Sequence, residues 1–348
     1  MDTSAAILEV RDLHVRFPVF GGVIPRKKAE VRAVEGVSLT LGRGETIGLV
    51  GESGCGKTTV GRAIVNILKA MNYRVEVSGQ VQYHHPDGVV DLAGLSRRQM
   101  RPYRADLQMV FQDPYSSLNP RMSVGRIIEE PLRIHTRESA AGRRARVERL
   151  LERVGLSPAH AARYPHEFSG GQRQRIGLAR ALATNPKIVI ADEPVSALDV
   201  SVQAQVINLM EDLQREFGLS YIFIAHDLAV VRHISDRIFV MYLGHIVETG
   251  PAELIYRRPL HPYSRLLLSA VPRPDPERRR PRSARIERDL PSPLNKPSGC
   301  AFRTRCPIAR PDCAERVPPL ELRDGRWVAC PYSEPGPAED TTTPRAES

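Results

Sequence analysis

The sequence lacks a long apolar run and is poor in aromatic residues. Of its 348 residues only 5% are aromatic, and one is Trp. Apolar runs such as "IVIA" at 188–191 and "YIFIA" at 221–225 are strand-sized, far below the roughly 18 residues that cross a bilayer. The N-terminus, "MDTSAAILEV", has no basic region followed by an apolar one, so a secretory signal is not expected. These absences favour a globular protein that resides in the cytoplasm and cannot span a membrane alone.

Cysteine is scarce outside one region. Four of the five cysteines follow residue 299, in a part of the chain where Pro is frequent. The remaining composition, with 41% hydrophobic and 26% charged residues, is ordinary for a globular protein. The net charge of +10 would permit contact with phosphates, anionic lipid or nucleic acid. Because much of the basic excess is Arg scattered along predicted helices, solvated helix faces are the preferred interpretation.

Local patterns predict an α/β chain. Residues 7–50 contain short strand patterns, with a polar surface loop predicted over 18–30. From 57 to 70 the apolar residues follow the spacing of a helix packed on a sheet. Residues 113–183 are helical and rich in Arg, whereas 187–249 alternate apolar strands with helices and include a hairpin at "RIFVMYLGHIVETG". A domain boundary is expected near 265–275, and the last fifteen or so residues are predicted to be disordered.

A glycine-rich turn lies between the apolar strand "TIGLV" and the first predicted helix. Residues 51–58, GESGCGKT, match the Walker A pattern in the strand, turn and helix context that it requires. Glycines let successive N–H groups face one anion, Lys57 is predicted to reach the β and γ phosphates, and Thr58 to ligate Mg²⁺. The predicted nucleotide-binding residues of this turn are Gly51, Glu52, Ser53, Gly54, Cys55, Gly56, Lys57, Thr58 and Thr59.

Two further apolar strands end in polar residues. "KIVIADEP" leads into Asp192 and Glu193, and "YIFIA" is followed by His226. Because open α/β sheets bind ligands at the carboxyl edge of their strands, Lys57, Glu193 and His226 are expected to converge. Asp192 is predicted to hold Mg²⁺, Glu193 to orient and deprotonate the attacking water, and His226 to bond a γ-phosphate oxygen. The sequence therefore predicts ATP hydrolysis at this edge of the sheet.

The segment "FSGGQRQRIGLARAL", residues 168–182, predicts a capped helix. Ser169 and Gln172 form an S-x-x-Q capping box, so the first amides of the helix would project at an anion. The segment resembles the signature motif of ABC ATPases, a family defined by this motif together with Walker A and Walker B. The resemblance implies that the signature of one subunit closes over the ATP held by Walker A of another, so that catalysis requires dimerisation. The signature residues are Ser169, Gly170, Gly171 and Gln172.

Other elements of the ABC family match one by one. By resemblance, Gln112 in "FQDP" is the Q-loop residue and a further Mg²⁺ ligand, and "SALD" is the D-loop that ends at Asp199. His226 is similarly identified as the switch histidine, which makes Glu193, His226 and Gln112 the predicted catalytic set. Phe17 is the candidate for the aromatic residue that stacks on adenine, with Phe20 as the alternative residue and core packing as the rival role.

Longer matching stretches of sequence indicate one subfamily within the ABC ATPases. "YSSLNPRMSVG", "RYPHEFSGGQRQRI", "HPYSRLLLSA" and "LPSPLNKPSGCAFRTRCP" resemble the oligopeptide and dipeptide importer subfamily over residues 7–332. Within it the chain is most similar to the second, F-type, of two unlike ATPase subunits. The resemblance implies a heterodimer with a D-type ATPase, two transmembrane permeases, a periplasmic or lipoprotein receptor that supplies substrate, and a peripheral place on the cytoplasmic face of the inner membrane. Gln112, residues 115–121 and the helical insertion would dock the permease.

The implied fold is a P-loop NTPase core with an N-terminal antiparallel β subdomain, a helical insertion subdomain over about 113–183 and a small Cys/Pro-rich C-terminal extension. Its predicted divisions are an ABC ATPase domain over 1–265, the extension over 266–333 and a disordered tail over 334–348. Nickel or another small solute is an alternative cargo, because nickel importers share this architecture. A soluble ABC ATPase acting on nucleic acid is a weaker alternative, since the chain shows one compact cassette without a second cassette or a long coiled coil.

Cys300, Cys306, Cys313 and Cys330 form the pattern C-x5-C-x6-C-x16-C. In a reducing compartment disulfides are disfavoured, and four thiolates could hold tetrahedral Zn²⁺ or a [4Fe–4S] cluster. The absence of a compact C-x2-C knuckle argues against a zinc ribbon, and the subfamily resemblance favours iron and sulfur. Because a Pro-rich tail buries little apolar surface, a structural [4Fe–4S] cluster is expected, with Zn²⁺ or free thiols as alternatives. Cys55 belongs to the nucleotide site instead.

Overall fold

The computed structural model describes residues 6–21, 26–269 and 291–334. These residues form one sheet of four strands and one of eight, with helices packed on the larger sheet. Apart from Glu334, the predicted disordered tail lies outside the described residues, as does most of the predicted boundary at 265–275. No helix in the described ranges is both long and apolar enough to cross a membrane.

The smaller sheet contains β1 (Ala6–Gly21), β2 (Arg26–Gly42), β4 (Glu76–His85) and β5 (Gly88–Asp91). It is antiparallel, with the order β2-β1-β4-β5. The prediction of a surface loop over 18–30 is wrong, because Val19 pairs with Ala29 and Phe20 pairs with Lys27 along the β1–β2 hairpin. Ladder hydrogen bonds join backbone groups, so exposed polar side chains do not end a strand.

The larger sheet contains β3 (Thr46–Val50), β6 (Leu107–Val110), β7 (Ile188–Asp192), β8 (Ser220–Ala225), β9 (Arg237–Tyr242), β10 (His245–Pro251), β11 (Glu321–Arg323) and β12 (Arg326–Val328). Their order is β11-β12-β10-β9-β3-β8-β7-β6. β3, β6, β7, β8 and β9 are parallel, whereas β10, β11 and β12 join antiparallel. β3, β7 and β8 are buried at every residue, as parallel strands covered on both faces must be. The predicted hairpin of β9 and β10 is confirmed.

The helices are α1 (Lys57–Ile64), α2 (Leu68–Met71), α3 (Pro114–Ser117), α4 (Val124–His135), α5 (Ala140–Arg153), α6 (Gly170–Leu182), α7 (Val200–Phe217), α8 (Leu228–Ile234), α9 (Ala252–Arg257) and α10 (Pro262–Ser269). Short 3₁₀ turns include Pro102–Arg104, Pro158–Ala162, Pro165–Glu167 and Pro311–Ala314. Helices α3 to α6 all lie between β6 and β7 in the chain.

The helix predicted over 57–70 is interrupted after α1. Asn66 has a φ of 50°, in the left-handed region that Asn tolerates better than most residues. Its Nδ2 donates to the carbonyl oxygens of Leu92 at 2.7 Å and Leu95 at 2.9 Å. These distant carbonyls stabilise a turn between α1 and α2 that the apolar spacing alone did not predict.

Two buried clusters cover the faces of the larger sheet. One includes fully buried Ile128 of α4, Leu151 of α5 and Ile176 of α6, and it extends to Phe302 in the C-terminal region. The other joins the larger sheet to the smaller sheet and to α1, through residues such as Ile64. Because both clusters pack against the same buried strands, the turns that follow β3, β7 and β8 are held on a close-packed frame.

Candidate active site

The turn after β3, residues 51–58, is called here the glycine turn. Gly56 has a φ of 110°, and a Cβ added to it would lie 2.3 Å from the carbonyl oxygen of Ala33 on β2. A Cβ added to Gly51 would lie 2.1 Å from the carbonyl oxygen of Met241 on β9. The backbone of the turn therefore packs directly on two strands. The turn leads into α1, so its last N–H groups lie at the N-terminus of a helix, where anions are favoured. The exposed residues of the turn are Ser53 and Gly54.

Lys57, the first residue of α1, folds back over the glycine turn. Its Nζ donates to the carbonyl oxygens of Gly51 at 2.7 Å and Glu52 at 3.0 Å, and the residue is 4% exposed. Because an ammonium has three donors, a phosphate oxygen can be bound in addition to a carbonyl or in its place. Cys55 Sγ lies 3.8 Å from Lys57 Nζ, and burial raises the pKa of this thiol. Cys55 is therefore a neutral packing group of the turn.

Thr58 and Asp192 meet at the carboxyl ends of β3 and β7. Thr58 Oγ1 donates to Asp192 Oδ1 at 2.7 Å. Asp192 is fully buried, and its Oδ2 has no hydrogen-bond partner among the described residues. Burial raises the pKa of this carboxyl. A buried carboxylate oxygen without a hydrogen-bond partner is expected to bind a cation or a water molecule. Hydroxyl and carboxylate oxygens are hard ligands, which Mg²⁺ prefers. The donor set fits Mg²⁺.

Glu193 lies against two side chains from other segments. Gln112 Nε2 donates to Glu193 Oε2 at 2.8 Å, and His226 Nδ1 lies 3.7 Å from the same oxygen. Glu193 has a φ of 46°, and its N–H donates to the carbonyl of Ile224 at 2.9 Å. A non-glycine residue in this region is strained, and such strain persists only where the surrounding structure holds it. The structure thus brings Gln112, Glu193 and His226 together next to Asp192, whereas Lys57 is bonded within the glycine turn.

The N-terminus of α6 carries the predicted capping box. The Gln172 N–H donates to Ser169 Oγ at 3.4 Å, and the Ser169 N–H donates to Gln172 Oε1 at 3.1 Å. This prediction is confirmed. Ser169 is exposed, and Gly170 and Gly171 are partly exposed, so the first turn of the 13-residue helix is open to a group outside this chain.

Comparisons with known proteins agree with this geometry. The family model described as "ABC transporter" matches residues 34–196, and the one described as "Oligopeptide/dipeptide transporter, C-terminal region" matches residues 247–313. The oligopeptide transport ATP-binding protein OppF of Salmonella typhimurium is 53% identical, over 96% of this chain and 98% of its own length. The chain belongs to the oligopeptide transport ATP-binding protein family. It is therefore an ATPase coupled to transport, which uses ATP and Mg²⁺ and works with transmembrane permease subunits.

Other relatives support the same family. The oligopeptide transport ATP-binding protein AppF of Bacillus subtilis is 53% identical over 93% of this chain and 96% of its own length, and the di/tripeptide transport ATP-binding protein DppF of Pseudomonas aeruginosa is 49% identical over 94% and 98%. Among solved structures, cbiO1 of Clostridium perfringens has a TM-score of 0.59 at 26% identity, covering 73% of this chain and 91% of that one. The ABC ATPase fold, a mixed α/β core with an antiparallel β subdomain, is thereby confirmed.

The remaining residues predicted to bind nucleotide lie on β1, in α1 and at the start of α7. Phe17, on β1, is partly buried and packs against the cluster between the two sheets. Phe20 is 38% exposed, with the Arg74 guanidinium 4.4 Å above its ring. Asp199 occupies the N-cap position of α7 without a side-chain capping bond, and Thr59 is partly buried in α1.

Sequence analysis missed two residues that contact the glycine turn. The N–H of Glu52 donates to Tyr263 Oη at 2.7 Å. Its carboxylate accepts two hydrogen bonds from Arg305, at 2.6 and 2.8 Å. The nucleotide role predicted for Glu52 must therefore be indirect, because both its N–H and its carboxylate are already bonded. These contacts span 211 and 253 residues, so no local pattern could have indicated them.

The four C-terminal cysteines are free thiols, and each is partly buried. The Cys300 N–H donates to the carbonyl of Cys313 at 2.8 Å. Burial, together with the neighbouring thiols, raises the pKa of Cys306 to about 11 and also raises the pKa of Cys300 and Cys330. Within the described ranges, however, no three Cys, His, Asp or Glu side chains are arranged to hold a metal ion. The thiols share one region, but they do not form the closed ligand set that the sequence predicted.

Proposed function

We propose that the chain binds and hydrolyses ATP to power the import of dipeptides and oligopeptides through an ABC transporter. The cargo is inferred from the relatives, which are oligopeptide and di/tripeptide transport ATP-binding proteins, and from the match of the C-terminal region. Nickel or another small solute is the alternative cargo, and none of these names favours it. None of these relatives is named for action on nucleic acid.

The observation that carries the proposal is the group of Gln112, Glu193 and His226 beside the pair of Thr58 and Asp192. We assign Glu193 the task of orienting the attacking water and accepting its proton, a role worth about 10²–10⁴ in rate. Gln112 donates to the carboxylate oxygen, His226 lies 3.7 Å from it, and His226 can direct its second ring nitrogen to a γ-phosphate oxygen. Mg²⁺, held by Thr58 and Asp192 with Gln112 nearby, would supply the charge that neutralises the transferring phosphoryl group.

ATP is assigned to the glycine turn and its surroundings. The backbone N–H groups of residues 54–59 and the N-terminus of α1 favour phosphate. Lys57 can exchange the carbonyl oxygens of Gly51 and Glu52 for phosphate oxygens, which attract an ammonium more strongly. Phe17 supplies the stacking face for adenine, and Phe20 is the alternative.

Closure of a dimer completes the site. At the exposed and capped N-terminus of α6, the Gly170 and Gly171 N–H groups make no hydrogen bond within the described residues, and we assign them to the ATP held by a second ATPase. Asp199, at the start of α7, is assigned to the same interface. The partner is proposed to be an unlike, D-type ATPase. Two permeases and an extracytoplasmic receptor complete the transporter, with this chain peripheral on the cytoplasmic face.

Permease docking is assigned to the helices between β6 and β7. Tyr115, on α3, is 63% exposed, and the rest of the segment up to residue 121 follows it directly. This segment follows Gln112 within a few residues, so movement at the permease could reach the group around Glu193. The proposed divisions are an ATPase domain over 1–265, with its helical subdomain over about 113–183, and an extension over 266–333.

The C-terminal cysteines are proposed to bind a [4Fe–4S] cluster, with Zn²⁺ as the alternative. Four partly buried free thiols in one region are a chemically suitable donor set. Their arrangement in the described chain is not a closed site, so binding would require the segment to rearrange. Anaerobic purification tests this proposal: brown colour with acid-labile sulfide is expected, and colourless protein with four titratable thiols and no zinc would contradict it.

The test of the main proposal is Glu193→Gln in the full chain. The variant should bind ATP with unchanged affinity, because Gln keeps the shape of the side chain, and its turnover with the partner ATPase should fall by about 10²–10⁴ because no base remains. ATP should then hold the two ATPases together, which size-exclusion chromatography with and without ATP would detect. Glu216→Gln, on the surface of α7, is the matched control and should hydrolyse normally. Normal turnover by Glu193→Gln would refute the assigned chemistry.

A further inference from the structure

An ion pair joins the C-terminal region to the glycine turn. Arg305 donates through Nη1 to Glu52 Oε2 at 2.6 Å and through Nη2 to Oε1 at 2.8 Å. The Arg305 side chain is 7% exposed and that of Glu52 is 29% exposed. Two parallel bonds from a planar guanidinium fix the orientation of a carboxylate as well as its position. Glu52 is the second residue of the glycine turn, so its position is set by a residue from outside the ATPase core.

Arg305 is itself held by a buried aromatic cluster, formed by Tyr242, Tyr263 and Phe302. The ring centroids lie 4.6 Å apart for the two tyrosines, and 5.2 and 5.4 Å from Phe302. All three residues are fully or almost fully buried. The Arg305 guanidinium lies 5.8 Å from the Tyr242 ring and 6.0 Å from that of Phe302. Strand β9, helix α10 and the C-terminal region thus meet at one point beneath the glycine turn.

The same cluster makes a second contact with the glycine turn, because Tyr263 Oη accepts a hydrogen bond from the N–H of Glu52. Glu52 is therefore bonded through its backbone and through its side chain to residues that follow the last strand of the ATPase core. Both bonds are made to Glu52 itself, so they act on the position of the glycine turn. Phosphate binding needs several N–H groups aimed at one anion, so a displacement of the glycine turn would turn these groups away from it.

We infer that Arg305 is a positioning residue for the nucleotide site, and that the cysteine-bearing C-terminal region controls the affinity for ATP through it. The inference rests on the proposed role of the glycine turn in ATP binding. Cys300 and Cys306 flank Arg305 in the chain, and the segment turns tightly between them. The Arg303 N–H donates to the carbonyl of Cys300, and the Arg305 N–H donates to that of Phe302. Any change that moves these cysteines moves Arg305 as well.

The experiment measures ATP affinity of the full chain with a fluorescent ATP analogue, together with KM and kcat for ATP hydrolysis. Arg305→Gln should weaken binding by about tenfold, equivalent to ~1.4 kcal/mol, and should raise KM more than it lowers kcat. Arg305→Lys should recover part of the loss, because one of the two bonds can form again. Arg303→Gln is the matched control and should bind ATP normally, since the Arg303 side chain donates to Ser298 in the same segment and not to the glycine turn.

A double-mutant cycle separates this role from general stability. Glu52→Gln should weaken ATP binding about as much as Arg305→Gln, and the double variant should be no worse than either single variant. Additive losses would overturn the inference, as would an Arg305→Gln protein that melts at a lower temperature yet binds ATP as tightly as the wild type. Failure of the wild type to bind ATP would instead refute the proposed function.

The cysteine part of the inference is tested with Cys306→Ser. This variant should weaken ATP binding in the wild-type background and should have no further effect in an Arg305→Gln background. Unchanged ATP affinity in Cys306→Ser, or an equal added loss in both backgrounds, would overturn control by the cysteine region.

Discussion

Replacement of Tyr263 by Phe should destabilise the fold through one hydrogen bond. Tyr263 is fully buried, and its Oη lies 2.7 Å from the N–H of Glu52. Phe keeps the ring packing against Tyr242 and Phe302, so only the hydroxyl is lost. A backbone N–H left without an acceptor costs about 1–3 kcal/mol in unfolding free energy. In a domain of this size each kcal/mol lowers the melting temperature by about 2–4 °C.

Tyr221 provides the matched control for this prediction. It is also fully buried, but its Oη has no hydrogen-bond partner in the part of the chain that the structure describes. Tyr221→Phe removes a buried polar group that contributes no bond, so it should change the unfolding free energy by less than about 0.5 kcal/mol or increase it. Urea unfolding of the nucleotide-free proteins, followed by circular dichroism, measures both values. Equal losses in the two variants, or a larger loss for Tyr221→Phe, would refute the reasoning.

Burial lowers the pKa of His261 from 6.5 to about 3. The unfolded chain therefore binds an additional proton between these values, and the unfolding free energy should fall as the pH falls from 6.5 to 3. Urea unfolding across this window should show a shallower dependence for His261→Asn, and an identical dependence would contradict the assignment. Ser169→Ala should cost about 1 kcal/mol by removing the cap of α6, as Ser139→Ala should at α5, where Ser139 Oγ accepts a backbone N–H. Only Ser169→Ala should also slow ATP hydrolysis with the partner ATPase, and equal rates in the two variants would contradict the dimer arrangement.

The predicted residues that the structure brings together share one simple property. Asp192, Glu193 and His226 lie at or just beyond the carboxyl ends of buried parallel strands, and Thr58 follows β3 after the glycine turn. Parallel strands place these ends at one edge of the sheet, so strand patterns and turn residues together predict that they are close. Gln112 follows β6 in the same way, although its role was inferred only by resemblance.

The predictions that fail concern places where a distant partner decides the local structure. The polar residues of 18–30 belong to a strand pair, because the backbone of each strand bonds the other. The helix after the glycine turn ends early, because Asn66 bonds carbonyl groups of residues 92 and 95. The cluster at the four cysteines stays a prediction, because their spacing in the sequence does not determine how closely their sulfur atoms approach.

By itself the sequence determined the glycine turn, the capped start of α6 and the buried strands, because each depends on residues only a few positions apart. Only the tertiary structure decided that Glu52 is held by Tyr263 and Arg305, across 211 and 253 residues. Such contacts depend on how β9, α10 and the C-terminal region pack on one another. No local periodicity or turn residue in the sequence predicts that packing.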